Sequence, residues 1–136
     1  MTAKLETRPK LTLDEVLTSF KTEFHSLANR FALYEGNKAW AESSDEQYVT
    51  HPGVYVWWHP DHGVLRVGVS AINSRKRALE HVGDDNTGGN MKALGAESKT
   101  RVLLFNAKER RDSHWAFALE KFFEKSLYPE HKPRRS

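Results

Sequence analysis

Two short stretches place polar, chemically capable side chains where a chain ordinarily buries apolar ones. Val54, Val56 and Trp58 alternate with Tyr55 and Trp57, and Leu65, Val67 and Val69 alternate with Arg66, Gly68 and Ser70. Pairing the stretches as a hairpin sets Tyr55 opposite Gly68 and Trp57 opposite Arg66, so that Tyr55, Arg66 and Ser70 share one face. A face with a phenol, a guanidinium, a hydroxyl and a bare glycine resembles the floor of a site more than a core. Just beyond, Arg75, Lys76 and Arg77 precede His81, and Arg77 and His81 stand at i and i+4, on one face of a helix. Arginine presents a planar fork of donors that suits phosphate oxygens, and imidazole exchanges a proton near neutral pH. Each group also has an ordinary structural reading. Tyr55 can be a packed strand aromatic, 75–77 a solvated helix face, and Glu120 an exposed helix residue.

The elements that must position these groups follow from periodicity and turn chemistry. Thr12 and Glu15 form a capping box, and Leu13, Val16, Leu17, Phe20, Phe24, Leu27 and Phe31 follow at three- and four-residue steps. That stripe predicts one helix of about five turns over 12–33, with residues 1–11 frayed before it. Residues 35–50 read as a loop with a short helix around Trp40. The turn His59-Pro60-Asp61-His62-Gly63 closes the hairpin, His59 against Val64, with His59 and His62 at the surface. Asn73 caps a helix to about Val82, and a Gly/Asp/Asn-rich loop follows over 83–90. A third strand runs over 100–105. Asp112 or Ser113 caps a last helix carrying Trp115, Leu119, Phe122, Phe123 and Leu127, stopped by Pro129. The expected fold is α/β, or α+β in layers: a small, mainly antiparallel three-stranded sheet flanked by helices, in one domain over 1–136.

Composition narrows the function classes. The chain has 136 residues, 38% of them hydrophobic and 29% charged, with four Trp and seven Phe, a balance that excludes a disordered or collagen-like chain. With no cysteine there is no disulfide scaffold, thiolate nucleophile or Cys-based zinc site. No apolar run reaches membrane-span length and no signal-peptide core follows Met1, so a soluble, cytoplasmic protein is expected. The net charge of +3 divides unevenly, with −2 over residues 1–50 and +5 over 51–136. The basic excess ends in Lys132-Pro133-Arg134-Arg135 and hints at a polyanionic partner.

Pro52-Gly53-Val54-Tyr55, ten intervening residues and Arg66-Val67-Gly68 together resemble the paired Gly-Ile-Tyr and Tyr-Ile-Gly signature of the GIY-YIG nuclease superfamily. Asn73-Ser74-Arg75-Lys76-Arg77 resembles the Asn-x-Arg-x-Arg start of that family's first helix, with His81 where members carry Tyr or His. Glu120, after Ala116 and nine residues before Pro129, resembles the family's metal-binding glutamate. The resemblance covers 52–133 as a nuclease core and leaves 12–33 as an extension. It departs at Arg66, which replaces a tyrosine, and at Lys132, which replaces an asparagine.

The resemblance implies a metal-dependent endonuclease acting on DNA, with RNA left open, and Mg²⁺ or Mn²⁺ as cofactor. It implies Tyr55, Arg66, Arg77, His81 and Glu120 as catalytic residues converging on one face, with Glu120 the metal ligand and Glu124 the competing choice. Arg75, Lys76 and Lys132 are the expected nucleic-acid contacts. Mg²⁺ needs only one or two protein carboxylates, and Arg77 suits a phosphate in the transition state. Tyr55 and His81 both stand as general base, the phenol requiring a nearby cation such as Arg66 to ionise. Two further readings are a nucleic-acid-binding domain without turnover and a protein-interaction module that uses the N-terminal helix.

Overall fold

The computed structural model describes residues 8–83 and 91–131. Helix α1 (Leu13–Glu23) opens on the expected capping box, with Thr12 Oγ1 accepting from Glu15 N at 3.1 Å and Glu15 Oε1 from Thr12 N at 2.8 Å. It ends well short of residue 33. A 3₁₀ turn over Ala28–Arg30 reverses the chain, and Phe31 begins a strand, β1 (Phe31–Gly36). Phe31 nonetheless meets the same apolar stripe, edge-on to Phe20 at 5.6 Å between ring centroids. A residue that continues the helical period thus packs back on the helix from a strand.

Helix α2 (Lys38–Ser43), capped by Asn37, is the short helix around Trp40. Strands β2 (Gly53–His59) and β3 (Gly63–Ser70) form the hairpin, followed by α3 (Ser74–Val82), α4 (Met91–Gly95), β4 (Arg101–Ala107) and α5 (Ser113–Ser126). The sheet has four strands rather than three, in the order β1-β4-β2-β3, with every neighbouring pair antiparallel. β1 supplies the ladder that β4 would otherwise lack along an open edge. No helix among the described residues is long and apolar enough to cross a membrane.

Register follows the expectation from Gly53 to Trp57, with Tyr55 opposite Gly68 and Trp57 opposite Arg66. A bulge between Trp57 and Trp58 then sets Trp58 against Val64 and His59 against Gly63, not His59 against Val64. Gly63 takes φ +74°, which a side chain would strain. The bulge adds one residue to β3, and Leu65 moves to the core shared by Tyr55 and Trp57. The sheet therefore carries two cores. Val16, Phe20, Val54, Val56, Val67, Phe105, Leu119 and Phe123 fill one under α1 and α5. Tyr55, Trp57, Leu65, Ala78, Val82, Met91 and Leu104 fill the other under α2, α3 and α4.

Candidate active site

Tyr55 is fully buried on the α3 side of the sheet. Its ring lies across Gly68 of edge strand β3: a Cβ there would stand 2.3 Å from both Cζ and the hydroxyl oxygen of Tyr55. Only the bare glycine lets the phenol extend over the strand. The hydroxyl hydrogen-bonds Nδ1 of His81, in the last turn of α3. Asn73 Oδ1 starts that helix by accepting from Lys76 N at 3.0 Å, and Trp57 Nε1 fixes it to the sheet by donating to Ala78 O at 3.1 Å. Ser74 Oγ donates to Asn106 Oδ1 of β4 at 2.5 Å, a second anchor for the same helix.

Burial raises the Tyr55 hydroxyl well above the ordinary phenol range. The guanidinium charges of Arg66 and Arg77 pull it back down, Arg66 also as a hydrogen-bond partner, while the Glu120 carboxylate raises it further. Tyr55 is therefore neutral near pH 7, and its O–H can donate where Nδ1 carries no proton. Four of the expected site residues thus act on the fifth. They do so from both sides of the sheet and not from the one face expected, because α5 packs against the other core. Arg77 and His81 come from α3, Arg66 from β3, and Glu120 from α5, which packs on the opposite face.

Arg66 is 3% exposed, and its Nε and Nη1 find no hydrogen-bond partner. Leaving donors of a buried charged group unmet costs about 1–3 kcal/mol or more. Arg77 is instead about half exposed, at 52%, and meets Glu80 at 3.3 Å along the helix. Glu120 is 2% exposed beside Leu119 and Phe123, whereas the Glu124 side chain is 17% exposed and 3.9 Å from Lys121. Among the described residues no three His, Asp or Glu side chains gather as a metal cage. A hard cation held through one carboxylate, water and a substrate phosphate fits the donor that Glu120 offers.

Arg75 turns inward, donating from Nη1 to the carbonyls of Ala41 at 3.1 Å and Ser44 at 3.0 Å. It thereby satisfies carbonyls at the C-terminal end of α2. Lys76 is exposed. Lys132, Pro133 and the basic tail, with loop residues 84–90, lie outside the described residues.

Two sequence-based expectations fail nearby. His59 is buried, not at the surface: Nε2 meets Glu97 Oε1 at 2.9 Å, and Nδ1 accepts from Asp61 N at 3.0 Å. Residues 8–11 are docked instead of frayed. Arg8 Nη1 donates to Tyr128 O at 2.7 Å and Val64 O at 3.2 Å, and its Nη2 donates to His62 O. Leu11 O accepts from Trp58 Nε1 at 2.8 Å. These partners are distant in sequence, so no local pattern announces them. The same strap fixes His131, whose Nε2 is buried and unpartnered. Comparisons with protein-family models, with curated proteins and with solved structures find no match for this chain.

Proposed function

We propose that this chain is a metal-dependent endonuclease that hydrolyses phosphodiester bonds in DNA, in the manner of the GIY-YIG nucleases it resembles. One observation carries the reading: the Tyr55 hydroxyl is buried and bonded to His81, within the field of the Arg66, Arg77 and Glu120 charges. Phosphodiester cleavage needs an aligned water, cationic donors for the charge gathering on the phosphate, and relief for the leaving oxygen. Glu120 would hold a Mg²⁺ or Mn²⁺ ion, which when bound neutralises phosphate charge and stabilises the leaving oxygen.

The chain's own groups supply the rest. Arg77, half exposed and in reach of a docked strand, donates to a phosphate oxygen. Tyr55 cannot act as a phenolate at rest, because burial holds its proton on. Its hydrogen bond to His81 offers another route. The hydroxyl passes its proton to Nδ1 as it accepts one from the attacking water, so Tyr55 places the base and His81 stores the charge. The open choice between the two thereby becomes a division of labour.

The test is cleavage of plasmid and oligonucleotide DNA in Mg²⁺ and Mn²⁺, with an RNA arm. Glu120→Gln should abolish cleavage and leave DNA binding intact or slightly tighter. Glu124→Gln, one turn away with the same charge change, should cleave. Normal cleavage by both variants rejects the mechanism.

The reading as a nucleic-acid binder without turnover draws on Arg66, which stands where the family carries a tyrosine. It expects salt-dependent DNA affinity with no nicking in either metal. The interaction-module reading draws on a groove of about 410 Å³ lined by Asp14, Glu15, Thr18, Thr22, Glu23 and Phe122. Its carboxylates repel phosphate, so it is no part of a DNA contact.

A further inference from the structure

Among the described residues three side-chain nitrogen atoms are shut off from solvent with no hydrogen-bond partner: Nε and Nη1 of Arg66, and Nε2 of His131. Natural structures rarely leave such atoms unmet without a reason, and a buried guanidinium is among the costliest groups to leave so. Both residues border the same strand. Arg66 lies in β3, and His131 N donates to the carbonyl of its neighbour, Leu65, at 2.8 Å. Burial above all, and the Arg66 charge to a lesser extent, disfavour a protonated His131 ring.

The segment that carries His131 is built, not trailing. Tyr128 turns it with φ 53°, a left-handed conformation uncommon outside glycine. Pro129 is buried, and Glu130 N donates to Val64 O at 2.9 Å. Arg8 ties down Tyr128 O at 2.7 Å and reaches the Glu130 carboxylate at 3.6 Å, which also meets His62 Nδ1 at 3.1 Å. A strap from one end of the chain thus secures a segment near the other, and the backbone of His131 is held against β3 at the residue next to Arg66.

We propose that Arg66 and His131 form a buried receptor for a phosphate group, whose oxygens accept from the unmet Arg66 donors and from His131 Nε2. Arginine suits an oxyanion of this kind, with a delocalised charge and several directed donors. Tyr55, on which Arg66 also acts, places the receptor next to the candidate active site. His131 as a whole is partly exposed, although its Nε2 is buried. Assigning the phosphate to a nucleic-acid strand rests on the nuclease reading; the receptor itself does not.

The experiment titrates the full isotopically labelled chain with inorganic phosphate and follows the Arg66 Nε–H and His131 imidazole resonances by NMR. Parallel arms use acetate and a dinucleoside phosphodiester. Both resonances should move on one saturating isotherm with phosphate and with the phosphodiester, and acetate should bind more weakly. His131→Phe should weaken phosphate binding by about tenfold or more, the worth of one hydrogen bond to a charged ligand. Arg66→Gln should abolish it, and Lys38→Gln, a surface control, should not change it. Resonances that stay still at high phosphate, acetate binding as tightly as phosphate, or unchanged affinity in His131→Phe each overturn the receptor. Should Arg66→Gln fail to fold, His131→Phe decides alone. Phosphate binding by a chain that never cleaves DNA leaves the receptor standing and removes the nuclease reading. Cleavage with unmoved resonances does the reverse.

Discussion

On the face of the sheet covered by α1 and α5, six of the seven phenylalanines pack ring against ring, with centroids 5.1–6.4 Å apart. On the face covered by α2, α3 and α4, buried groups are tied by directed bonds: Tyr55 to His81, Trp57 to Ala78 O, Ser74 to Asn106, and Thr100 to Leu94 O. Strand β4 serves both, sending Leu103 and Phe105 one way and Val102 and Leu104 the other. Apolar burial is strong and non-directional, so it can hold a fold without fixing any one atom. Hydrogen bonds contribute less net stability each but set orientation, and a reacting group needs orientation. The division assigns stability chiefly to one face and, Glu120 of α5 excepted, the oriented site groups to the other, and each assignment can be broken separately.

The largest effect should come from the apolar face. Phe123 is fully buried and meets Phe105 edge-on at 5.1 Å between centroids. Phe123→Ala should cost about 3–5 kcal/mol of stability, measured by urea unfolding. Below its unfolding transition the variant should keep the rate of cleavage per folded molecule. A lost rate in the folded variant would show that the two faces are coupled. Arg77→Ala is the converse. Removal of one preorganised donor costs on the order of 10²–10³ in rate. Stability should barely change, because Arg77 is half exposed and its pair with Glu80 is a surface one. A variant that unfolds instead would make Arg77 a structural residue.

Gly68→Ala sharpens the comparison at the point where Tyr55 crosses the edge strand. A Cβ there meets the phenol at 2.3 Å, so the ring must shift, at a cost of about 1–3 kcal/mol, and the hydroxyl leaves His81. Gly83→Ala is the control, since among the described residues its Cβ finds nothing nearer than Leu79 O at 3.7 Å. Equal stability and equal rates in the two variants would mean that the phenol has room to move.

Much of this division is visible in the residue pattern, and what is hidden has physical causes. The capping box at Thr12 and the pairing of Tyr55 with Gly68 are local, so spacing reveals them. The spacing of Arg77 and His81 on one helix is local too. β1 is hidden because Phe31 keeps the helical period while packing from a strand. The bulge that moves Leu65 to the other core is hidden because alternation alone does not record an added residue. The Glu120 charge bears on Tyr55 from the helix on the far face, an arrangement that sequence spacing does not announce. Arg8 and His131 are joined through carbonyls at Val64, Leu65 and Tyr128, and a backbone acceptor has no signature in side-chain types.

The smallest effect at neutral pH concerns the Tyr55 proton. Burial, the dominant cause, raises the folded hydroxyl above the ordinary phenol value of 10.0, against the pull of Arg66 and Arg77. Below about pH 10 both folded and unfolded chains hold this proton, and Tyr55 adds no pH dependence. Above that value the unfolded chain releases a proton that the folded chain keeps. The unfolded state then binds fewer protons, so stability falls as pH rises. Tyr55→Phe deletes this slope. At neutral pH it should cost only about 1 kcal/mol, the net worth of the bond to His81. Urea midpoints compared between about pH 8 and about pH 11 should therefore fall more steeply for the native chain than for Tyr55→Phe. Tyr34, also raised, is present in both and cancels in the difference. Parallel slopes would mean that the folded phenol ionises as readily as an unfolded one. The site would then be open to water around Tyr55, and the hydrogen-bonded face would no longer be a sealed frame for chemistry.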